Sequence, residues 1–122
     1  MFETVFKAIG EPTRLKILRL LAAQDLCVCD LEEVLQISQP RVSQHLKVLK
    51  QAGLVSERRE AQKRICSFDR GQFTKIIEAF NDFMDKPLDE LEGFEQINIR
   101  LSNLDGKSCE RKQCTDISDI IL

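Results

Sequence analysis

Three observations predict a mainly α-helical domain with one small β-hairpin. Two helix-like segments meet at a very short turn near Gln36-Ile37-Ser38, and the second sets a polar face against an apolar stripe. Two short strand-like runs then flank a basic stretch. That succession is a winged helix-turn-helix, expected to be dimeric through its first and fifth helices.

Phe2, Val5, Phe6 and Ile9 recur at helical spacing, and Gly10 ends this first helix. Glu11-Pro12-Thr13 opens the second helix, whose core stripe is expected from Leu15, Leu18 and Leu21. The third places Leu31, Val34 and Leu35 on one face. It is preceded by Cys27-Val28-Cys29-Asp30, with Asp30, Glu32 and Glu33 near the positive end of the helix dipole. Ser38 caps the fourth helix, Pro40 fits its first turn, Val42, Leu46 and Leu49 form its buried stripe, and Gly53 terminates it. Strands are expected from Leu54 to Glu57 and from Arg64 to Phe68, with Arg58 to Lys63 as the tip of the wing.

The fifth helix, Gly71 to about Met84, carries Phe73, Ile76, Ile77, Phe80 and Phe83 on one face before Pro87. Helices one and five hold more apolar surface than so small a core absorbs, which predicts a homodimer; the alternative, that both complete the monomer core, stays open here. Residues 1–87 are therefore expected to form the DNA-binding and dimerisation domain, and 88–122 a C-terminal extension carrying Cys109 and Cys114. In that extension Leu88, Leu91 and Phe94 are spaced as in a helix, whereas Ile97, Ile99 and Leu101 alternate as in a strand, so no element is assigned.

A chain of 122 residues with 43% hydrophobic content suits one compact domain. No run approaches the roughly 18 to 20 apolar residues of a membrane span, and no signal-peptide pattern opens the chain. These features predict a cytoplasmic protein without a membrane partner. Five cysteines in such a chain point to free thiols for metal or redox chemistry rather than to disulfides. The net charge is −2, yet from Ser38 to Arg70 eight basic residues face three acidic ones, so this segment carries +5 and the remainder −7. Phosphate neutralisation is local, so such a segment fits double-stranded DNA despite the acidic total.

Opposite its apolar stripe the fourth helix presents Gln39, Arg41, Ser43, Gln44 and Lys47, whose donors and acceptors suit base edges and phosphates, with Ser38 at its start. Arg58, Arg59, Lys63 and Arg64 give the wing its contacts to the backbone or minor groove. His45 lies between the two faces and reads as a packing or phosphate-contacting residue; as the single histidine it excludes a histidine-rich metal site within one chain. With no Ser-His-Asp set and no glycine-rich phosphate loop, an enzyme is not expected.

Leu26-Cys27-Val28-Cys29-Asp30-Leu31, the run Ser38 to Leu49 and Gly53-Leu54-Val55 together resemble the ArsR family of metalloregulatory repressors. Gly10 to Leu18 is similar to the second helix of that family, and the likeness covers about residues 2 to 85. It implies a dimeric repressor that leaves its operator when an inducing ion binds. Two departures accompany it: Ala61 or Gln62 stands where the family has a wing-turn glycine, and Cys66 where it has an aromatic residue.

Thiolates favour soft ions, which makes Cys27 and Cys29 the expected ligands of trivalent arsenic or antimony, with cadmium, lead or zinc as alternatives. Thiols at i and i+2 share a side in an extended chain but lie about 200° apart around a helix. Ion capture is therefore expected to bend or unwind the first turn of the third helix, which supports the reading helix. In the arsenic-responsive members that the motif resembles, a third cysteine often stands at the position of Glu32. Trivalent arsenic prefers three thiolates, so Cys109 or Cys114 is expected to complete the site, Cys66 being expected to lie too far away in the wing. A repressor of the same fold that senses oxidation through its thiols is the second reading.

Overall fold

A computed structural model of the chain describes residues 2–107 and divides into two units, one ending at Asn81 and one beginning at Asp82. In the first unit the order is α1 (Phe2–Ile9), α2 (Pro12–Ala23), β1 (Leu26–Cys27), α3 (Val28–Leu35), α4 (Gln39–Gln51), β2 (Val55–Glu60), β3 (Lys63–Phe68) and the greater part of α5 (Arg70–Asp85). No helix among the described residues is long and apolar enough to cross a membrane.

Local chemistry sets the boundaries. Gly10 follows α1 where a Cβ would come within 2.9 Å of the Phe6 carbonyl oxygen. Glu11 caps α2, its carboxylate accepting the Arg14 N–H at 2.8 Å. α3 stops at Gln36 in the left-handed conformation (φ 56°), and Gly53 takes φ 78° just past α4, where a side chain would be strained. Ser38 stands at the start of α4 without a side-chain capping bond.

The core joins Val5 and Ala8 of α1, Ile17, Leu18 and Leu21 of α2, Val28 and Leu31 of α3, the Val42-Leu46-Leu49 stripe of α4, then Leu54, Val55, Cys66 and Ile76. Two expected core residues fall outside it: Leu15 is 53% and Val34 59% exposed. In α2 the buried stripe includes Ile17, which rotates the inward face away from Leu15. Phe2 and Phe6 set their rings edge-on to Phe80 of α5, at 5.5 and 4.9 Å between centroids, so part of the apolar excess of α1 and α5 is spent within one chain.

The wing is larger than its sequence suggests. β2 and β3 pair from Val55↔Phe68 to Glu60↔Lys63, leaving Ala61-Gln62 as a two-residue turn with Ala61 at φ 54°. Alanine occupies a backbone conformation that glycine would adopt more cheaply, and the hairpin forms nonetheless. A third strand was not foreseen: β1 pairs antiparallel with β3, Leu26 opposite Cys66 and Cys27 opposite Ile65, giving the sheet order β1-β3-β2. Two residues are too few to show an alternating pattern.

In the second unit a 3-10 turn at Leu88–Glu90 is followed by α6 (Glu95–Ser102), and Phe83 meets Phe94 edge-on at 6.0 Å. Ile97, Ile99 and Leu101, strand-like in sequence, lie in α6, each about half exposed, so they mark no single apolar face.

Candidate functional site

The entrance to α3 gathers the expected ion ligands. Cys27 ends β1 in an extended conformation (φ −79°, ψ 162°) and directs its thiol onto the helix it precedes. Its Sγ accepts the Asp30 N–H at 3.3 Å, while Asp30 Oδ2 accepts the Cys27 N–H at 3.2 Å. This is a capping box with sulfur in the usual place of a hydroxyl. Cys29, the second residue of α3 and exposed, completes a cluster in which the ligand atoms of Cys27, Cys29 and Asp30 all lie within 4.8 Å of one another.

An unwound first turn is not needed to bring these ligand atoms together. Only Cys27 needs to be extended, and it already is, so two thiols and a carboxylate converge with the helix intact. Burial, then the hydrogen bonds with Cys29 and the Asp30 carboxylate, raises the Cys27 pKa. The same bonds from Cys27 lower that of Asp30. Two sulfurs and one carboxylate oxygen suit a soft or borderline cation, whereas a hard ion would want more oxygens.

Cys66 is also placed differently from expectation. It is fully buried at the base of the wing, across from Leu26 and so next to the strand position of Cys27. Burial and then the nearby Glu57 carboxylate push its thiol up to about 11, which leaves it a packing residue at neutral pH. Cys109 and Cys114 lie outside the described residues.

A hollow of about 210 Å³ opens on the cluster. Its walls include Cys27, Cys29 and Glu32, but also Gln39 from the first turn of α4 and Lys63 and Arg64 from the wing. Candidate ion ligands and candidate DNA contacts thus border one cavity. Lys63 is close enough to help hold the Asp30 carboxyl low.

On α4, Arg41, Gln44 and Lys47 are exposed, and among the described residues their side chains make no hydrogen bond or ion pair. Gln39 Nε2 donates to Ser43 Oγ at 3.2 Å. His45, its side chain 16% exposed, turns inward: Nδ1 is 3.4 Å from Arg14 Nη1 and 3.8 Å from Glu11 Oε2. Arg14 itself donates to the Ala8 and Lys7 carbonyl oxygens at 2.6 and 3.2 Å, tying the end of α1 through α2 to α4. Sequence reasoning missed this clasp, because an arginine in the first turn of a helix gives no sign of the carbonyls within its reach.

Half of the wing's cations are already engaged. Arg58 donates to Asp25 at 2.9 Å, Ser67 at 2.8 Å and Glu60 at 3.0 Å. Arg64 pairs with Glu57 at 2.9 Å, and Lys50 approaches the same carboxylate at 3.5 Å. Among the described residues, Arg59 and Lys63 take part in no ion pair.

Residues 11–57 match the model of the bacterial regulatory protein, arsR family. An arsenical resistance operon repressor of Staphylococcus xylosus is 34% identical over 93 residues, 76% of this chain and 82% of that protein. The chain belongs to the arsR family. A second relative, the cadmium resistance transcriptional regulatory protein CadC homolog of Staphylococcus aureus, is 35% identical over 75 residues, 61% of this chain and 62% of its own length. The solved structure of HlyU from Vibrio cholerae N16961 superposes with a TM-score of 0.56 at 32% identity, over 68% of this chain and 90% of that one. Two other relatives are matched over only 64% of their length. Within this arsR-family chain, the residue at the resemblance's third-cysteine position, Glu32, lines the hollow that holds Cys27 and Cys29.

Proposed function

We propose that the chain is a homodimeric, DNA-binding transcriptional repressor that releases its operator when the Cys27 and Cys29 thiolates capture a soft ion. Trivalent arsenic or antimony is the first choice of inducer, and cadmium, lead or zinc the alternative. One observation carries the reading: the sulfur cluster opens into a hollow whose other walls are the start of α4 and the wing. The repressors of arsenical resistance and the cadmium resistance regulator among its relatives support a thiol-bound inducer.

Arg41, Gln44 and Lys47 read the major groove with Ser38, Gln39 and Ser43 at the helix start, and Arg59 and Lys63 hold the backbone. Arg58 and Arg64 add to that field while bracing the sheet, and His45 braces α4 against α2. Thiols that condense with neutral arsenous acid lose water, and two thiols that surrender protons to a dication gain its charge in exchange, so in either case the charge of the hollow is unchanged and coupling to DNA runs through geometry. Cys27 is at once the cap of α3 and the end of β1, and redirecting its sulfur takes it from the Asp30 amide. The first turn of α3 and the base of the wing then shift together, moving Gln39 and Lys63 out of register with the groove. Cys109 or Cys114 supplies the third thiolate that arsenic requires.

Operator-bound protein challenged with arsenite, antimonite, cadmium, lead and peroxide, read by gel shift and by thiolate-to-metal absorbance, tests this. Release by arsenite or antimonite with matching absorbance is expected. Release by cadmium or lead alone selects the alternative ion class. Release by peroxide alone replaces ion sensing with thiol oxidation, for which the proximity of Cys27 and Cys29 would suffice.

A further inference from the structure

A second hollow, of about 530 Å³, opens between α2, the end of β3 and the start of α5. Its volume is typical of sites for small organic ligands. Leu15, Leu18, Phe68 and Phe73 form apolar walls, and the charged residues that line it are Arg19 and Arg70. Leu15 is the residue the helical pattern assigned to the core, and here it faces an opening. The Phe68 and Phe73 rings meet at 5.5 Å, and the Arg70 guanidinium sits over Phe68, 5.3 Å from the ring centroid. Among the described residues, no carboxylate lines the hollow and neither Arg19 nor Arg70 takes part in an ion pair.

We infer that this hollow binds an amphipathic monocarboxylate of medium chain length. The hydrocarbon lies along the leucine and phenylalanine walls, and the carboxylate is held by the forked donors of Arg19 and Arg70. A neutral or cationic head group of the same length would leave both guanidiniums unmatched. The site shares no lining residue with the thiol hollow, so it stands or falls independently of the inducing ion.

Equilibrium dialysis of the reduced full chain against decanoate, decanol and decylamine, below their micellar concentrations, tests the assignment. Saturable binding of decanoate is expected, at least tenfold tighter than decanol and tighter still than decylamine. Arg19→Gln with Arg70→Gln should lower decanoate affinity at least tenfold while lowering the thermal midpoint only slightly, since both side chains are exposed and the loss is confined to the Arg70 contact over Phe68. Ala22→Phe, which fills the hollow, should abolish binding. Equal affinity for the three probes, or decanoate binding indifferent to loss of both arginines, overturns the proposal. So does absence of saturable binding, the result expected if a second copy of the chain covers the groove.

Discussion

The fourth helix and the wing were expected to meet DNA in the same way, yet they offer their polar groups on different terms. Among the described residues, Arg41, Gln44 and Lys47 stand exposed without side-chain partners, whereas Arg58 and Arg64 of the wing are committed to Asp25, Glu60 and Glu57. Half of the wing's cations are therefore spent on building the sheet, with Arg59 and Lys63 left over. Counting cations along a strand overstates the field that reaches a phosphate, because acidic neighbours in register cancel it.

The largest effect should come from α4. Arg41→Ala or Gln44→Ala is expected to weaken specific operator binding by about 1–3 kcal/mol, roughly fivefold to 150-fold, with dimerisation unchanged by sedimentation. Lys63→Ala or Arg59→Ala should weaken binding to all sequences and lower the slope of log affinity against log salt by about one. Arg58→Ala should move that slope less than Lys63→Ala does and should also lower the thermal midpoint, through loss of the bonds joining Asp25, Glu60 and Ser67. If Arg58→Ala and Lys63→Ala change the slope equally, the distinction between spent and free wing cations fails.

Smaller effects sharpen the thiol side of the comparison. Because burial raises the Cys27 pKa, its proton must be released when a dication such as cadmium binds, so cadmium affinity should rise by about tenfold per pH unit for that proton through the neutral range, whereas arsenous acid, whose hydroxides leave with the thiol protons as water, should show no such slope. Titrations at successive pH values would show it. The lowered Asp30 carboxyl contributes its cap above the ordinary carboxylate pKa and loses it as pH falls through the lower folded value, so acid should loosen α3. Iodoacetamide should label the exposed Cys29 well before the buried Cys66. Smallest of all, Ala61→Gly should stabilise the wing by up to about 1 kcal/mol, since it relieves a left-handed alanine while adding unfolded-state entropy.

Much of this was legible in the chain itself, because helical period and caps speak locally. Val42, Leu46 and Leu49 are buried as their spacing requires, and the turn at Gln36 separates α3 from α4. Features that depend on distant pairing were not legible. Leu26-Cys27 becomes a strand only because β3 lies beside it, and that pairing brings Cys66 to the base of the wing near Cys27. Convergence of Cys27, Cys29 and Asp30 was misread for a related reason. Periodicity treats both cysteines as helical or both as extended, whereas the boundary falls between them. Within α6 no period could be read, because its apolar residues are spread around a half-exposed helix.

Operator release by arsenite from Cys27→Ser and Cys29→Ser proteins tests the central claim most directly. Both variants should bind operator like the parent and stay bound at arsenite concentrations that release it, since oxygen is a poor soft-ion ligand and one thiol cannot chelate. A Cys109→Ser, Cys114→Ser protein run alongside should lose the response to inorganic arsenite but keep it for a methylated arsenical. If the Cys27→Ser protein releases DNA as readily as the parent, the entrance to α3 is not the inducer site and the account is wrong.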